Sequence, residues 1–392
     1  MPQHDPIAFA NALSAKLATR SRHVCVFLGA GLGRACGLPD VAQLQVRVIE
    51  QLTDSDQEAL RRQLDGRNLE QALSRLRRIA GLVSGAEAVG GLTAERAAQL
   101  DAKVCQAIVK ALDITGASLE PAQDFAAWVA RANYLLPVEL FTVNYDLLLE
   151  TALDGSRVPY FDGFVGTLRA RFHTELVEPA PGSDAESMPA FLARLWKLHG
   201  SVNWSRESNG QIVRLGHPVP DGLPAAIYPS DAKYEESRRV PFVVLQDRLR
   251  RALHHPETIL IVSGYSFGDD DLNELLFDAA SRRERSEFVA LCYSEIPQEL
   301  AKRAAKTPNL QVAGGREAIC RGVKGSWTAP KEPPPSLWVD GQFGLRDFRE
   351  LAAYLARGSS RALPHEPRAG VPGTTERAAT NAKTPLGATD NV

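Results

Sequence analysis

The sequence predicts an α/β protein: a parallel sheet with helices on both faces and a helical subdomain inserted into it. Three observations predict this. Short apolar runs end abruptly in glycine or polar residues, as Val24-Cys25-Val26-Phe27-Leu28 does before Gly29-Ala30-Gly31. Stretches with apolar residues at helical spacing follow such runs, and repeated strand–loop–helix units argue a parallel sheet covered on both sides. Between the first run and the next, from about 41 to 134, the pattern is helical almost throughout.

The elements follow in order. Residues 7–17 form a helix ahead of the first strand. The run 24–28 is a buried strand feeding a loop and then a helix. Glycines allow a sharp bend and the close approach of a phosphate, and free N–H groups at a helix N-terminus favour an anion. The stretch is therefore a candidate nucleotide diphosphate cradle, in which a side chain at Gly31 would crowd the pyrophosphate; a tight strand–helix turn is the alternative. It departs from the dinucleotide fingerprint G-x-G-x-x-G. Gly29 and Gly31 fit, but Arg34 stands at the third glycine position. No second strand follows to bring a ribose-binding acid, so an ordinary dehydrogenase is a poor reading.

In the helical block, Asn68 is the N-cap of a helix whose apolar face is Leu69, Ala72, Leu73, Leu76, Ile79 and Ala80. Arg75, Arg77 and Arg78 lie on its other side, read as a solvated face. A loop at 81–91 and helices at 94–112 and 121–132 complete the insertion. Residues 138–143 are the next strand, followed by Asn144-Tyr145-Asp146 and a helix at 147–153. The stretch 155–186 is loop-rich. A short strand at 194–198 ends at His199-Gly200-Ser201, and 212–215 and 226–228 are short strands of an irregular region. A helix at 243–253 precedes the clearest buried strand, 258–262, which delivers Gly264-Tyr265-Ser266-Phe267 to a helix at 271–281. Asp269, Asp270 and Asp271 are an N-cap and favourable charge at that helix start rather than a metal site. A strand at 287–292, a helix at 297–305 and a strand at 310–312 close the series.

The expected organisation is one catalytic domain over 1–315 with its insertion at about 41–135, a C-terminal extension over 316–357 with one helix, and a disordered tail over 358–392, poor in large apolar residues. Lys plus Arg number 45 against 47 Asp plus Glu, a formal charge of −2, so no basic excess points to direct nucleic-acid binding. Apolar runs are too short to span a bilayer, and the start of the chain lacks a basic region and apolar stretch. The five cysteines stand singly, without a C-x-x-C pair, which supports neither a zinc ribbon nor a disulfide framework. The expectation is a soluble cytoplasmic protein.

Ligands of open α/β sheets bind outside the carboxyl ends of the strands. Four such ends carry Gly29-Ala30-Gly31 with Gly37-Leu38-Pro39; Thr142-Val143-Asn144-Tyr145-Asp146; Lys197-Leu198-His199-Gly200-Ser201; and Gly264-Tyr265-Ser266-Phe267 with 269–273. A lone asparagine after a strand is a turn former and a lone histidine before glycine is structural. All four motifs in order, each at a strand end, are a specific signal. Over roughly 20–315 the chain resembles the sirtuin superfamily, most closely the sirtuin-like NAD-hydrolase domains of bacterial antiphage defence systems.

The resemblance implies a Rossmann-like NAD-binding domain. Gly29, Ala30, Gly31 and Gly33 would belong to the pyrophosphate loop, Asn144 would sit by the nicotinamide ribose, and His199 would be the general base. Asp146 would orient the loop, and Gly264 and Ser266 would contact the adenosine end. The chain departs from deacylating sirtuins in lacking their two C-x-x-C pairs, so no zinc is expected and the resemblance does not extend to the groove for an acylated peptide. Gly33 stands where the family often has Ser or Thr, which removes one hydroxyl contact to the nucleotide. The defence-type relatives hydrolyse NAD to nicotinamide and ADP-ribose, which needs no peptide groove. Such cleavage passes through an oxocarbenium-like transition state with a leaving group that is already cationic. It needs a held ribose, a positioned water and a proton acceptor. The Asn144 amide can hold but not act as a base; the His199 imidazole can accept the proton. The resemblance further implies a homo-oligomer and a HerA-like hexameric ATPase as partner. A protein ADP-ribosyl transferase or deacylase, and a non-enzymatic NAD- or ADP-ribose-sensing module, are the competing readings.

Overall fold

The computed structural model describes residues 2–85, 87–178, 193–227, 240–332 and 334–358. The tail expected to be disordered lies outside the described residues from 359 onward, as do Tyr228 and 179–186 of the loop-rich stretch.

The chain begins with β1 (Gln3–His4) and α1 (Pro6–Leu17), whose N-terminus is capped by the Asp5 carboxylate accepting from Ile7 and Ala8. All six residues of β2 (His23–Leu28) are buried, as a central parallel strand requires. The short helix α2 (Gly31–Ala35) follows directly. The insertion is α3 (Val41–Glu50), α4 (Asp54–Leu64), α5 (Leu69–Leu82), α6 (Ala94–Ala111) and α7 (Glu120–Arg131). Asn68 caps α5 as the sequence predicts, in a reciprocal capping box with Gln71. The arginines of α5 do not share one solvated face. Only Arg78 is exposed; Arg75 donates to Gln63, and Arg77 donates to Asp101 and to the carbonyl of Ile227.

After the insertion come β3 (Val138–Thr142) and α8 (Leu148–Gly155). The stretch expected to be loop contains β4 (Tyr160–Phe161), β5 (Phe164–Val165), β6 (Arg169–Phe172) and α9 (Thr174–Val177). Then come β7 (Ala193–Lys197), β8 (Gly200–Arg206), β9 (Ile212–Leu215), β10 (Ala225–Ile227), α10 (Phe242–His254), β11 (Thr258–Ser263), α11 (Asp270–Arg282), β12 (Glu287–Leu291), α12 (Gln298–Ala304) and β13 (Leu310–Ala313). The sheet does not close there. β14 (Glu317–Cys320) and β15 (Val323–Trp327) continue it antiparallel, and β1 pairs with β15. The last helix is α13 (Phe348–Gly358).

Among the described residues the main sheet has ten strands, in the order β1-β15-β14-β13-β12-β11-β2-β3-β7-β4. Its parallel centre, β7-β3-β2-β11-β12-β13, has the doubly wound strand order. The switch point lies at β2, where the chain turns first to β3 on one side and later to β11 on the other. Side chains of β2 alternate between two cores. Val24, Val26 and Leu28 face the core shared with α1, the insertion and α13. Cys25 and Phe27 face the core of α10, α11 and α12. A second sheet of five antiparallel strands, β10-β8-β9-β6-β5, continues from the end of β7. The reversal from β7 to β8 turns at Gly200, whose φ is +89° and where a Cβ would lie 2.2 Å from the carbonyl oxygen of Ala226. Only glycine fits there.

One buried charge cluster braces the sheet below the strand ends. Glu139 on β3 accepts from Arg248 of α10, from Arg194 at 3.3 Å and from the Trp196 indole. Burial pushes the Glu139 carboxyl up, but Arg248, His23 and Arg194 outweigh that and hold it at about 2.

Candidate functional site

The register of the parallel strands brings the four motif-bearing ends onto one line. Ser263 pairs with Leu28, Leu28 with Thr142, and Thr142 with Lys197. Gly264 and Gly29 therefore stand one residue beyond that line, and Asn144 and His199 two residues beyond it on neighbouring strands. Pairing continues past the strands themselves: Leu198 N–H donates to Thr142 O at 2.9 Å and Val143 N–H to Leu28 O at 3.3 Å.

At the β2 and β11 ends the contacts are backbone on backbone. Gly29 N–H donates to Ser263 O and Gly31 N–H to Gly264 O. A Cβ on Gly31 would lie 2.4 Å from Gly264 Cα, and one on Gly29 would lie 2.5 Å from Gly264 O. These glycines are thus required by the packing of the two loops on each other. A side chain at Gly31 would therefore clash with Gly264 whether or not a pyrophosphate is bound. Gly33 differs: a Cβ there would sit 3.6 Å from Asp146 Oδ2, an ordinary contact.

The polar residues are held by the same ends. Asn144 donates its amide to Gly29 O at 3.0 Å, and its N–H goes to the Thr142 hydroxyl. Its side chain thereby ties β3 to the glycine loop. Asp146 Oδ1 accepts from Leu148 N–H at the start of α8. Burial pushes its carboxyl above the usual range, and nearby Lys197 offsets this only in part. Lys197 is buried, donates to the carbonyls of Tyr145 and Asp146, and pairs with Glu150 at 2.9 Å. It anchors the 144–147 loop to the end of β7.

His199 is 5% exposed, and its Nε2 lies 3.2 Å from Asp269 Oδ2. Neither ring nitrogen has an aligned hydrogen bond among the described residues. Asp269 caps α11 as the sequence predicts, accepting through Oδ1 from Asp271 and Leu272. Its approach to His199 was not legible, because the two are far apart in the chain. Burial pushes the Asp269 carboxyl up, but His199 and the two capping N–H groups hold it below its usual range.

A cleft of about 510 Å³ opens at the ends of β2, β11 and β12, lined in part by Ala30, Gly31, Arg34, Gly264, Ser266 and Tyr293. Four of the expected binding residues line it; Gly29, Gly33, Asn144, Asp146 and His199 do not. Arg34, which breaks the glycine fingerprint, has its guanidinium 4.4 Å from the centroid of the Tyr293 ring, and Arg346 lies 4.7 Å from it. Sequence reasoning missed Arg34, Tyr293 and Arg346 as cleft residues. Tyr293 stands two residues past the end of β12, so the strand-end rule could have found it; nothing in the sequence marks Arg346. Arginines and an aromatic ring in one cleft suit a nucleotide's phosphate and base.

Among the described residues no helix is long and apolar enough to cross a membrane. A comparison with curated proteins gave no match. A solved structure described as "Structural Basis for the Mechanism and Regulation of Sir2 Enzymes" aligns with 89% of this chain and 96% of its own, at 13% identity and a TM-score of 0.41. Residues 138–313, from the first residue of β3 to the last of β13, are similar to the family described as a SIR2-like domain.

Proposed function

We propose that the chain is an enzyme that hydrolyses NAD to nicotinamide and ADP-ribose. The observation that carries this reading is the in-register line of four strand ends, with a nucleotide-sized cleft at one end and buried His199 at the other. The likeness of residues 138–313 to a SIR2-like domain supports it. In this reading the adenylate half occupies the cleft, against Gly31, Gly264, Ser266 and Arg34. Asn144 and Asp146 shape the loop beside the nicotinamide ribose, and His199 faces the reacting water. Hydrolysis breaks the bond between ribose C1′ and the nicotinamide nitrogen. Nicotinamide leaves neutral, taking the bonding pair. The water oxygen bonds to C1′, and its proton passes to the His199 imidazole. The biological setting implied by the resemblance is NAD depletion during antiphage defence, in a homo-oligomer with a HerA-like ATPase as partner.

Purified protein incubated with NAD, with and without such a partner, is expected to release nicotinamide and ADP-ribose with no peptide present. Consumption of NAD only when an acylated peptide is added would replace this reading with a deacylase.

A further inference from the structure

We propose that Asp269 is the positioning residue of His199: its Oδ2 holds the imidazole with the proton on Nε2 and leaves Nδ1 as the proton-accepting atom. The inference rests on the hydrolase reading above and deepens it.

Three observations carry it. Both partners are buried, at 5% exposure for His199 and 8% for Asp269, and their facing atoms are 3.2 Å apart. A carboxylate this close in a water-poor site favours an N–H over a lone pair on the ring nitrogen that faces it. The bond is not yet aligned, as is common for catalytic hydrogen bonds before substrate tightens them. His199 Nδ1 is then a buried acceptor with no partner among the described residues. A buried polar atom in that state needs a hydrogen-bond partner, which a substrate or a water can supply.

The second observation is the path of the loop. β11 and β7 are three strand spacings apart, roughly 14 Å at about 4.8 Å each. Residues 264–269 leave β11 packed on the glycine loop of β2, where Gly264 meets Gly31, and Asp269 at their far end reaches His199 beyond β7. The loop is built to hold that course. The Tyr265 hydroxyl donates its one proton between Asn273 Oδ1 and the carbonyl of Asp269, Asn273 donates to Phe267 O at 2.8 Å, and Phe267 takes a left-handed φ of +58°. Strained backbone fixed by side-chain bonds is a feature of preorganised sites.

The third is the division of labour between the two oxygens of Asp269. Oδ1 accepts the two capping N–H groups, and Oδ2 faces His199. Capping alone does not require the second oxygen to be an anion, because asparagine caps as well as aspartate.

That division supplies the test. Asp269→Asn keeps the cap but turns an N–H₂ donor towards Nε2, which favours the opposite tautomer. Imidazole ¹⁵N NMR of the full chain, with His199 assigned from the spectrum of His199→Gln, is expected to show Nε2–H in the wild type and a shift towards Nδ1–H in Asp269→Asn. Turnover should fall on the order of 10²-fold, with KM for NAD changed less than about threefold and the melting temperature unchanged. A wild-type His199 protonated on Nδ1, or the same tautomer in both proteins, overturns the proposal. So does an Asp269→Asn protein that keeps wild-type kcat, or that raises KM alone. Complete inertness of the wild type towards NAD would remove the hydrolase reading, and the tautomer measurement would still decide the pairing.

Discussion

The two ends of the strand-end line are built in opposite ways. At β2 and β11, shape comes from backbone: Gly29, Gly31 and Gly264 pack so closely that a methyl group on Gly31 would lie 2.4 Å from another Cα. At β3 and β7, shape comes from buried side chains: Asn144 on Gly29 O, Lys197 on two carbonyls, His199 against Asp269. A substitution at the glycine end is therefore felt first as a clash, and binding is lost together with local structure. A substitution at the polar end can remove chemistry while the fold stands. The difference separates the residues whose change reports on the reaction from those whose change reports on the scaffold.

The largest stability effect is expected from a charged group that is scaffold, although it resembles the polar end. Glu139→Gln leaves Arg194 and Arg248 facing a neutral amide, and should destabilise by about 3–5 kcal/mol, read by denaturant unfolding. The folded pKa of about 2 lies below the ordinary 4.5. The stabilisation is therefore complete at pH values above the unfolded pKa and is lost as pH falls towards the folded one. Wild-type stability should drop through that acid window, and Glu139→Gln should show a flatter profile. Equal stability of the two proteins at pH 7 would make the cluster incidental.

Next comes Gly31→Val. Overpacking costs roughly 1–3 kcal/mol, so this variant should melt earlier and also bind NAD weakly, as calorimetry would show. Retained stability with lost binding would mean that the cleft wall, and not loop-on-loop packing, is what the glycine serves. The smallest effect is expected two residues on. Gly33 is inside α2, and its Cβ would make only ordinary contacts. Gly33→Ala should leave NAD affinity within about twofold and stabilise by up to about 1 kcal/mol through helix propensity. A large loss of affinity would put Gly33 against the nucleotide.

Much of this was legible in the sequence because the parallel core obeys simple rules. Buried runs such as 258–262 announce central strands, and polar or glycine-rich segments at their ends announce a site. The second sheet was legible only in part: the strand read at 212–215 is β9 and that read at 226–228 overlaps β10, but β8, β5 and β6 were not read as strands. β8 reads Gly200-Ser201-Val202-Asn203-Trp204-Ser205-Arg206, with polar residues that are nevertheless buried against neighbouring strands. β4, β5 and β6 are two to four residues long and sit among glycines and prolines, where turn chemistry outweighs periodicity. In the candidate site, residues named by their motifs fell on one line because strand register is local. Tyr293 lies just past a strand end and was open to the same rule, whereas the approach of Asp269 to His199 and of Arg346 to the cleft needed contacts between distant parts of the chain, which no single-sequence pattern carries.

The central claim is that His199 is the proton acceptor of an NAD-cleaving site while the glycine end is scaffold and cleft. The most direct test is nicotinamide release from NAD by folded His199→Ala protein, measured beside wild type in the same activating conditions. Removing a general base costs on the order of 10²- to 10⁴-fold. A loss of that size is expected in protein that remains folded. Asn144→Ala should join it, with added loss of NAD affinity from its severed tie to Gly29, and the double variant should be little slower than His199→Ala alone. Folded His199→Ala protein that releases nicotinamide at the wild-type rate would contradict the account.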